Sequence, residues 1–197
     1  MFFKTIFILF CINSLVSCKD ILVKIENGMI KGEVVEFNNK TIHVFRGIRY
    51  AKAPVGELRF KRPVKVDNWS DVYDAITEKN SCHQISIFGY GISKHISEDC
   101  LFLNVWAPHV SITKKVFKKS VRSKPVMVWI HGGALAIGSI WEDQYNAIAL
   151  SATQDVIVVT VNYRLGPFGF LSSGTKDAPG NVGLYDQLLG LKWVRNP

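Results

Sequence analysis

The residues of this chain with the clearest capacity for chemistry are His-Gly-Gly-Ala at positions 131–134. Glycines have no Cβ, so the backbone can curl until successive N–H groups converge on one point. Such N–H groups stabilise the negative oxygen of a tetrahedral intermediate in acyl transfer, and one donor is worth about 3 kcal/mol. The alternative is a tight turn with no catalytic role. A phosphate-binding loop is disfavoured because neither G-x-G-x-x-G nor G-K-[ST] occurs.

The elements that would position this turn are those of an α/β fold. Residues 125–130 and 155–161 are almost entirely apolar, as expected of strands that helices cover on both faces. Residues 142–152 are predicted to be helical, and apolar residues recur at helical spacing from 184 to 193. Ligands of open α/β sheets bind beyond the carboxyl ends of strands, which is where residues 131–134 lie.

An antiparallel meander is predicted upstream. Residues 21–46 alternate short β-forming runs with turn signals at 27–28 and 38–39. Residues 47–81 are predicted to be ordered loop, and residues 101–106 a strand. We therefore expect an α/β architecture in which the meander leads into a mostly parallel sheet.

Residues 1–18 are predicted to be a signal peptide. Lys4 precedes an apolar stretch at 5–12 that is too short to span a bilayer, and residues 16–18 suit a signal peptidase. The alternatives are an uncleaved anchor, a buried strand, or a lipoprotein box with a lipidated Cys18. Cleavage would deliver residues 19–197 to the endoplasmic-reticulum lumen or the exterior.

Cleavage would also leave two of the four cysteines, Cys82 and Cys100. An even pair in an oxidising compartment favours a disulfide, which would stabilise the fold by roughly 3 kcal/mol. The sequons at Asn39 and Asn68 predict N-glycosylation in the same compartment.

The formal net charge of +8 raises the question of a nucleic-acid partner. Six basic residues fall between 114 and 124, and such a cluster is more often a solvated surface loop than a groove for phosphates. No zinc-finger spacing or RNA-stacking motif accompanies it. We expect no nucleic-acid partner. The 48% hydrophobic content is typical of a globular protein.

Five segments occur in a fixed order: FRGIRYAKAPVGELRF at 45–60, SEDCLFLNVW at 97–106, PVMVWIHGGALAIG at 125–138, VNYRLGPFGFL at 161–171 and APGNVGLYDQ at 178–187. In this order they resemble the type-B carboxylesterase/cholinesterase family of α/β-hydrolases, over essentially everything after residue 18. The resemblance implies a serine carboxylesterase that hydrolyses small carboxylic esters through an acyl-enzyme, without a cofactor or metal ion.

The resemblance implies roles for particular residues. Gly133 and Ala134 match the positions whose N–H groups form two-thirds of the family's oxyanion hole, and Leu135 lies in the wall of the substrate gorge. Ala134 replaces a third glycine, which is tolerated if Ala134 can adopt the required backbone conformation. His131 matches the residue that opens the turn and is not the catalytic base. The resemblance also implies a disulfide and two structural ion pairs, namely Cys82–Cys100, Arg59–Glu98 and Arg164–Asp186.

Two departures from the family pattern limit the interpretation. The Cys82–Cys100 segment contains Phe88 and Tyr90 but no Trp, and cholinesterases use a Trp here to hold a quaternary ammonium by cation–π attraction. A choline-specific enzyme is therefore disfavoured. No G-x-S-x-G occurs, so the chain has no nucleophile elbow, and the acid and base of the triad are expected beyond it as well.

We therefore expect an incomplete domain, truncated before the elbow, inactive alone and poorly folded because its sheet edge is exposed. A membrane anchor in the missing part is left open. One alternative is a cholinesterase-like adhesion or ligand-binding ectodomain that has lost the triad. Another is a gene-model or transcript fragment with no function of its own.

Overall fold

The computed structural model describes residues 19–85, 95–109 and 124–197. Its strands in chain order are β1 (Lys19–Ile25), β2 (Gly28–Phe37), β3 (Lys40–Arg49), β4 (Tyr73–Asp74), β5 (Ser81–Cys82), β6 (Ile96–Ser97), β7 (Phe102–Pro108), β8 (Val126–Ile130) and β9 (Ile157–Val161). Its α-helices are α1 (Ile148–Gln154), α2 (Gly166–Phe170) and α3 (Val182–Arg195). The predicted signal peptide, Phe88 and Tyr90, and most of the basic cluster lie outside the described residues.

The first three strands form the predicted antiparallel meander, which is confirmed. Asn38 and Asn39 connect β2 to β3 with φ angles of 48° and 59°. A two-residue hairpin turn needs two left-handed residues in succession, and asparagine tolerates that conformation better than most residues. The turn therefore places the sequon residue Asn39 at an exposed hairpin tip.

The main sheet is mostly antiparallel, so the prediction of a mostly parallel sheet is wrong. Its strand order is β1-β2-β3-β7-β9-β8, with β4 beside β2. Strand β7 pairs antiparallel with both β3 and β9, whereas β8 pairs parallel with β9. An apolar run has the same composition in either direction, so the sequence pattern contains no information about strand direction.

Two apolar clusters cover the two faces of the sheet. The larger cluster includes Tyr50, Leu101, Leu103 and Val161, all nearly or fully buried. The smaller cluster lies under α1, and its members include Ile42, Val44 and Trp106. Strands β7 and β9 lie between the two clusters. Strand β9 pairs with β8, which leads into the candidate site.

The helix predicted at 142–152 is shorter and begins later. A 3-10 turn occupies Asp143–Tyr145, and α1 follows at Ile148–Gln154. The side chain of Asn146 accepts a hydrogen bond from the N–H of Ile148 at 3.1 Å, and such a local bond interrupts a helix. Asp155 ends α1 in a left-handed conformation, so β9 begins at Ile157 and not at residue 155.

Strand β8 lies at the edge of the described sheet, and Met127 and Trp129 are each nearly half exposed. Within the described residues, helices therefore do not cover both faces of this strand, and its exposure agrees with the expectation that the chain leaves a sheet edge exposed. In α3, Leu184 and Leu188 face solvent. Gly190 packs against Val161 of β9, and Gly183 packs against the ring of Phe170 in α2. Along the described ranges, no helix is both long and apolar enough to cross a lipid bilayer.

Candidate functional site

The candidate site is the turn that follows β8, at the carboxyl end of the parallel pair β8–β9. The turn reverses the chain through a run of positive φ angles: 114° at Gly133, 53° at Ala134 and 59° at Leu135. The N–H groups of Ala136 and Ile137 both donate to the carbonyl oxygen of Gly133, each at 3.0 Å. These two hydrogen bonds close the turn and fix the orientation of the peptide groups within it.

The N–H groups of Gly133 and Ala134 are available to a ligand. Neither donates to an acceptor among the residues that the structure describes. Ala134 is exposed and Gly133 is half-buried, so this part of the turn lies at the surface of the described structure. Adjacent free donors in a curled backbone are what an oxyanion requires.

Gly133 is required at its position for steric reasons. A Cβ on this residue would collide with the carbonyl oxygen of Ile137, and its φ is one that residues with a side chain rarely adopt. Gly132 differs, because a Cβ there would meet nothing within 4 Å. The two glycines are therefore not equivalent, and only Gly133 is essential to the shape of the turn.

Ala134 adopts the left-handed conformation although it has a Cβ. Ala134 therefore has the backbone conformation that is expected of the glycine it replaces. For a residue with a Cβ this conformation costs roughly 1–2 kcal/mol. The following residue, Leu135, is also left-handed, and its carbonyl oxygen accepts a hydrogen bond from the N–H of Gly166 at 2.7 Å. This contact with the start of α2 helps to hold the strained pair.

Leu135 itself is 43% exposed. Its side chain lies at the surface of the described structure, beside the two free N–H groups. It could form one wall of a substrate pocket if another part of the protein supplied the opposite wall.

His131 is buried, and its side chain contacts the backbone of the turn. Its Nδ1 lies 3.0 Å from the carbonyl oxygen of Gly132, and its ring stacks on Tyr163 with centroids 4.7 Å apart. Burial lowers the pKa of His131, so the ring is neutral at neutral pH and Nδ1–H donates to Gly132. A peptide N–H points opposite to the preceding C=O. Holding the Gly132 carbonyl therefore directs the Gly133 N–H away from the imidazole.

Arg164 and Asp186 form a buried ion pair behind the turn. The Nε and Nη2 atoms of Arg164 donate to the carboxylate at 2.8 Å and 2.7 Å, and the backbone N–H of Arg164 donates at 3.1 Å. The exposed fractions of the two side chains are 2% and 0%. The pair joins the end of β9 to α3 through three hydrogen bonds.

Arg59 and Glu98 form a second ion pair, nearer the surface. Arg59 donates through Nε and Nη2 to Glu98 at 2.6 Å and 2.7 Å. The hydrogen bond from Arg59 lowers the pKa of the Glu98 carboxyl, so the pair is ionised at neutral pH. Cys82 and Cys100 are joined by a disulfide close by, with Cα atoms 4.9 Å apart. The ion pair links the segment at residue 59 to residue 98, and the disulfide links residue 82 to residue 100.

Gln84 is a site residue that the sequence did not reveal. Its side chain makes hydrogen bonds with both the N–H and the carbonyl oxygen of Gly138, and it also contacts the carbonyl oxygen of Cys82 at 3.1 Å. It therefore ties the disulfide to the end of the turn. Its place two residues after Cys82 was the only available signal.

Known proteins with similar sequences identify the family. The sequence model described as the carboxylesterase family matches residues 19–197. Acetylcholinesterase-1 of Trittame loki is 45% identical over 178 residues, which is 88% of this chain and 31% of that protein. Acetylcholinesterase of Leptinotarsa decemlineata is 38% identical over 194 residues, which is 89% of this chain and 31% of that protein.

A bacterial relative is equally similar. Para-nitrobenzyl esterase of Bacillus subtilis (strain 168) is 43% identical over 179 residues, which is 88% of this chain and 34% of that protein. The chain thus spans about a third of the length of the curated relatives it matches. The mixed sheet is compatible with part of an α/β-hydrolase fold. Because the family model matches nearly all of the sequence, this chain belongs to the carboxylesterase family.

Proposed function

We propose that this chain contributes the oxyanion hole of a serine carboxylesterase. The observation that carries the proposal is the pair of free N–H groups at Gly133 and Ala134, in a rigid turn at the carboxyl end of two parallel strands. In ester hydrolysis the carbonyl oxygen of the substrate becomes negative when a nucleophile attacks its carbon. Donors that are already oriented stabilise this charge without reorganising, which lowers the barrier.

The described residues would divide the work as follows. Gly133 and Ala134 donate to the oxyanion, and His131 holds the peptide group that orients the first of them. The ion pairs and the disulfide keep the surrounding segments in place. The nucleophile, acid and base come from elsewhere in the protein, because no G-x-S-x-G occurs in these 197 residues.

The proposed substrates are small carboxylic esters without a quaternary ammonium group. The segment between Cys82 and Cys100 contains no Trp for a cation–π contact. Leu135, exposed beside the donors, offers an apolar wall. We propose that no cofactor or metal ion takes part in hydrolysis.

The proposed location is the exterior or the endoplasmic-reticulum lumen, reached through a signal peptide at 1–18. The Cys82–Cys100 disulfide supports this location because disulfides persist in oxidising compartments. Asn39 and Asn68 are both exposed and hence open to glycosylation. Treatment of the secreted protein with an N-glycosidase should lower its apparent mass, and the Asn39→Gln and Asn68→Gln variants should each lose one glycan.

The enzymatic proposal is tested with two proteins: the 197-residue chain and the product of the longest open reading frame that contains it. Both are assayed with p-nitrophenyl acetate and with a fluorophosphonate probe, which labels activated serines. We expect the longer product to hydrolyse the ester and to be labelled, and the 197-residue chain to do neither. A longer product that is folded but neither active nor labelled would favour a binding or adhesion role instead.

A further inference from the structure

We propose that His43 and His109 form a binding site for a divalent transition-metal ion such as Zn²⁺, remote from the oxyanion turn. His43 lies within β3, and His109 directly follows β7, the strand beside it. Nε2 of His43 and Nδ1 of His109 are 3.1 Å apart. The pair is independent of the proposed esterase function.

The register of the strands explains why the two rings meet. The N–H of His109 donates to the carbonyl oxygen of Thr41 at 2.9 Å, so His109 lies opposite Thr41. His43, two residues after Thr41 in the same strand, has its side chain on the same face of the sheet. The two histidines are therefore diagonal neighbours across a pair of hydrogen-bonded strands. Two neighbouring strands hold their backbones rigidly, so little ordering is needed before an ion binds.

The distance between the two nitrogens suits a shared ion. Imidazole nitrogens bind Zn²⁺ at about 2.0–2.1 Å, so two of them in a tetrahedral site lie about 3.3 Å apart. The observed 3.1 Å separation is that of a hydrogen bond between the two rings, and a bound ion would replace this bond with an adjustment of only a few tenths of an ångström. The ring centroids are 5.0 Å apart and the ring planes meet at 67°, so the rings meet edge to face and do not stack.

The surroundings also favour a cation. His109 is exposed and His43 is half-buried, so an ion can enter from solvent. Glu36 lies on the same face opposite Thr41, with its carboxylate 2.6 Å from the Thr41 hydroxyl.

The site has two protein ligands. No cluster of three or more His, Cys, Asp or Glu residues suited to a metal exists within residues 19–85, 95–109 and 124–197, so water would complete the coordination. Imidazole pairs of this kind accept Zn²⁺, Ni²⁺ or Cu²⁺ and not Mg²⁺ or Ca²⁺, which prefer oxygen ligands. A bound ion would link β3 to β7 and stabilise the sheet.

The test uses the product of the longest open reading frame that contains this chain, expressed without an affinity tag and titrated with ZnCl₂ by calorimetry. We expect one ion per chain and an affinity that falls roughly tenfold or more in His109→Ala, since even changes outside the ligand shell can have such an effect. His43→Ala should behave in the same way. His83→Ala, which removes a different exposed imidazole, should bind Zn²⁺ as the wild type does.

Electron paramagnetic resonance with Cu²⁺ gives a second readout. The wild type should show couplings to two nitrogens, and His109→Ala to one. Because His109 is exposed, this variant should fold even if His43→Ala does not. The absence of Zn²⁺ binding, or binding that is equal in the wild type and His109→Ala, would overturn the proposal.

Discussion

The side-chain amide of Gln84 makes two hydrogen bonds to the backbone of Gly138, one as donor and one as acceptor, and both are 2.9 Å long. Gly138 is buried, with φ at 121°, and a Cβ there would collide with the ring of His131. A single polar side chain thus fastens the end of the oxyanion turn to the segment that follows Cys82. The shape of the turn depends on this neighbouring segment as well as on its own glycines.

Replacing Gln84 with Leu should destabilise the fold. The buried N–H and carbonyl of Gly138 would both lose their partners, which predicts a decrease of about 1–3 kcal/mol in the free energy of unfolding. Urea denaturation measures this change. Gln144→Leu is the control, because Gln144 is exposed and its side chain bonds only the sequence neighbours Glu142 and Tyr145 among the residues that the structure describes. Equal effects of the two substitutions would contradict the structural role of Gln84.

The Arg164–Asp186 pair should contribute much more to the stability of the fold than the Arg59–Glu98 pair does. Arg164→Met would leave the carboxylate of Asp186 buried without a charged partner, with only the backbone N–H of residue 164 donating to it, and losing one member of a buried pair typically costs about 3–5 kcal/mol. Arg59→Met removes a pair whose arginine is partly exposed, and its effect should be much smaller. Thermal unfolding of the two variants, followed by circular dichroism, compares them directly. A larger loss of stability in Arg59→Met would show that the predicted order is wrong.

The burial of His131 predicts how stability depends on pH. Burial lowers the pKa of this imidazole below its ordinary value of 6.5, so below about pH 6.5 the unfolded chain binds more protons than the folded chain. Stability should therefore be fully present above pH 6.5 and decrease as the pH falls through the lowered pKa. His43 acts in the same direction because burial and His109 lower its pKa too.

Nuclear magnetic resonance can separate the two histidines. We expect the Cε1 proton of His131 to titrate only below pH 6.5, and the pH dependence of stability to be weaker in His131→Phe, which retains a ring to stack on Tyr163. A His131 resonance that titrates at or above pH 6.5 would contradict the assigned burial and hydrogen bond.

Local signals in the sequence were sufficient for some elements and not for others. The turn at Asn38 and Asn39 was predictable because the hairpin needs left-handed residues there. The apolar content of β8 was also clear, and an exposed sheet edge was expected, but the sequence did not show that β8 is the edge strand, with Trp129 exposed. Exposure depends on which other segments pack against the strand, and composition does not record that.

In the candidate site, too, some features follow from the local sequence and others depend on tertiary packing. The glycines of the turn were visible because their conformational freedom is a property of the residue itself. The amide of Gln84 was not, because 54 residues separate it from Gly138 and the contact depends on tertiary packing. The helix at 142–152 was placed too early because the side chain of Asn146 competes for a backbone N–H, and apolar periodicity does not register this competition.

The central claim is that the N–H groups of this turn stabilise an oxyanion, and the two neighbouring glycines provide the most direct test. In the product of the longest open reading frame, kcat for p-nitrophenyl acetate is measured for Gly133→Ala and Gly132→Ala. A Cβ at Gly133 would displace the turn through its collision with Ile137, whereas a Cβ at Gly132 meets nothing. We predict that kcat falls by about 10²-fold or more in Gly133→Ala, the loss expected for one oxyanion donor, and stays near wild type in Gly132→Ala. Equal kcat values in the two folded variants would contradict the claim.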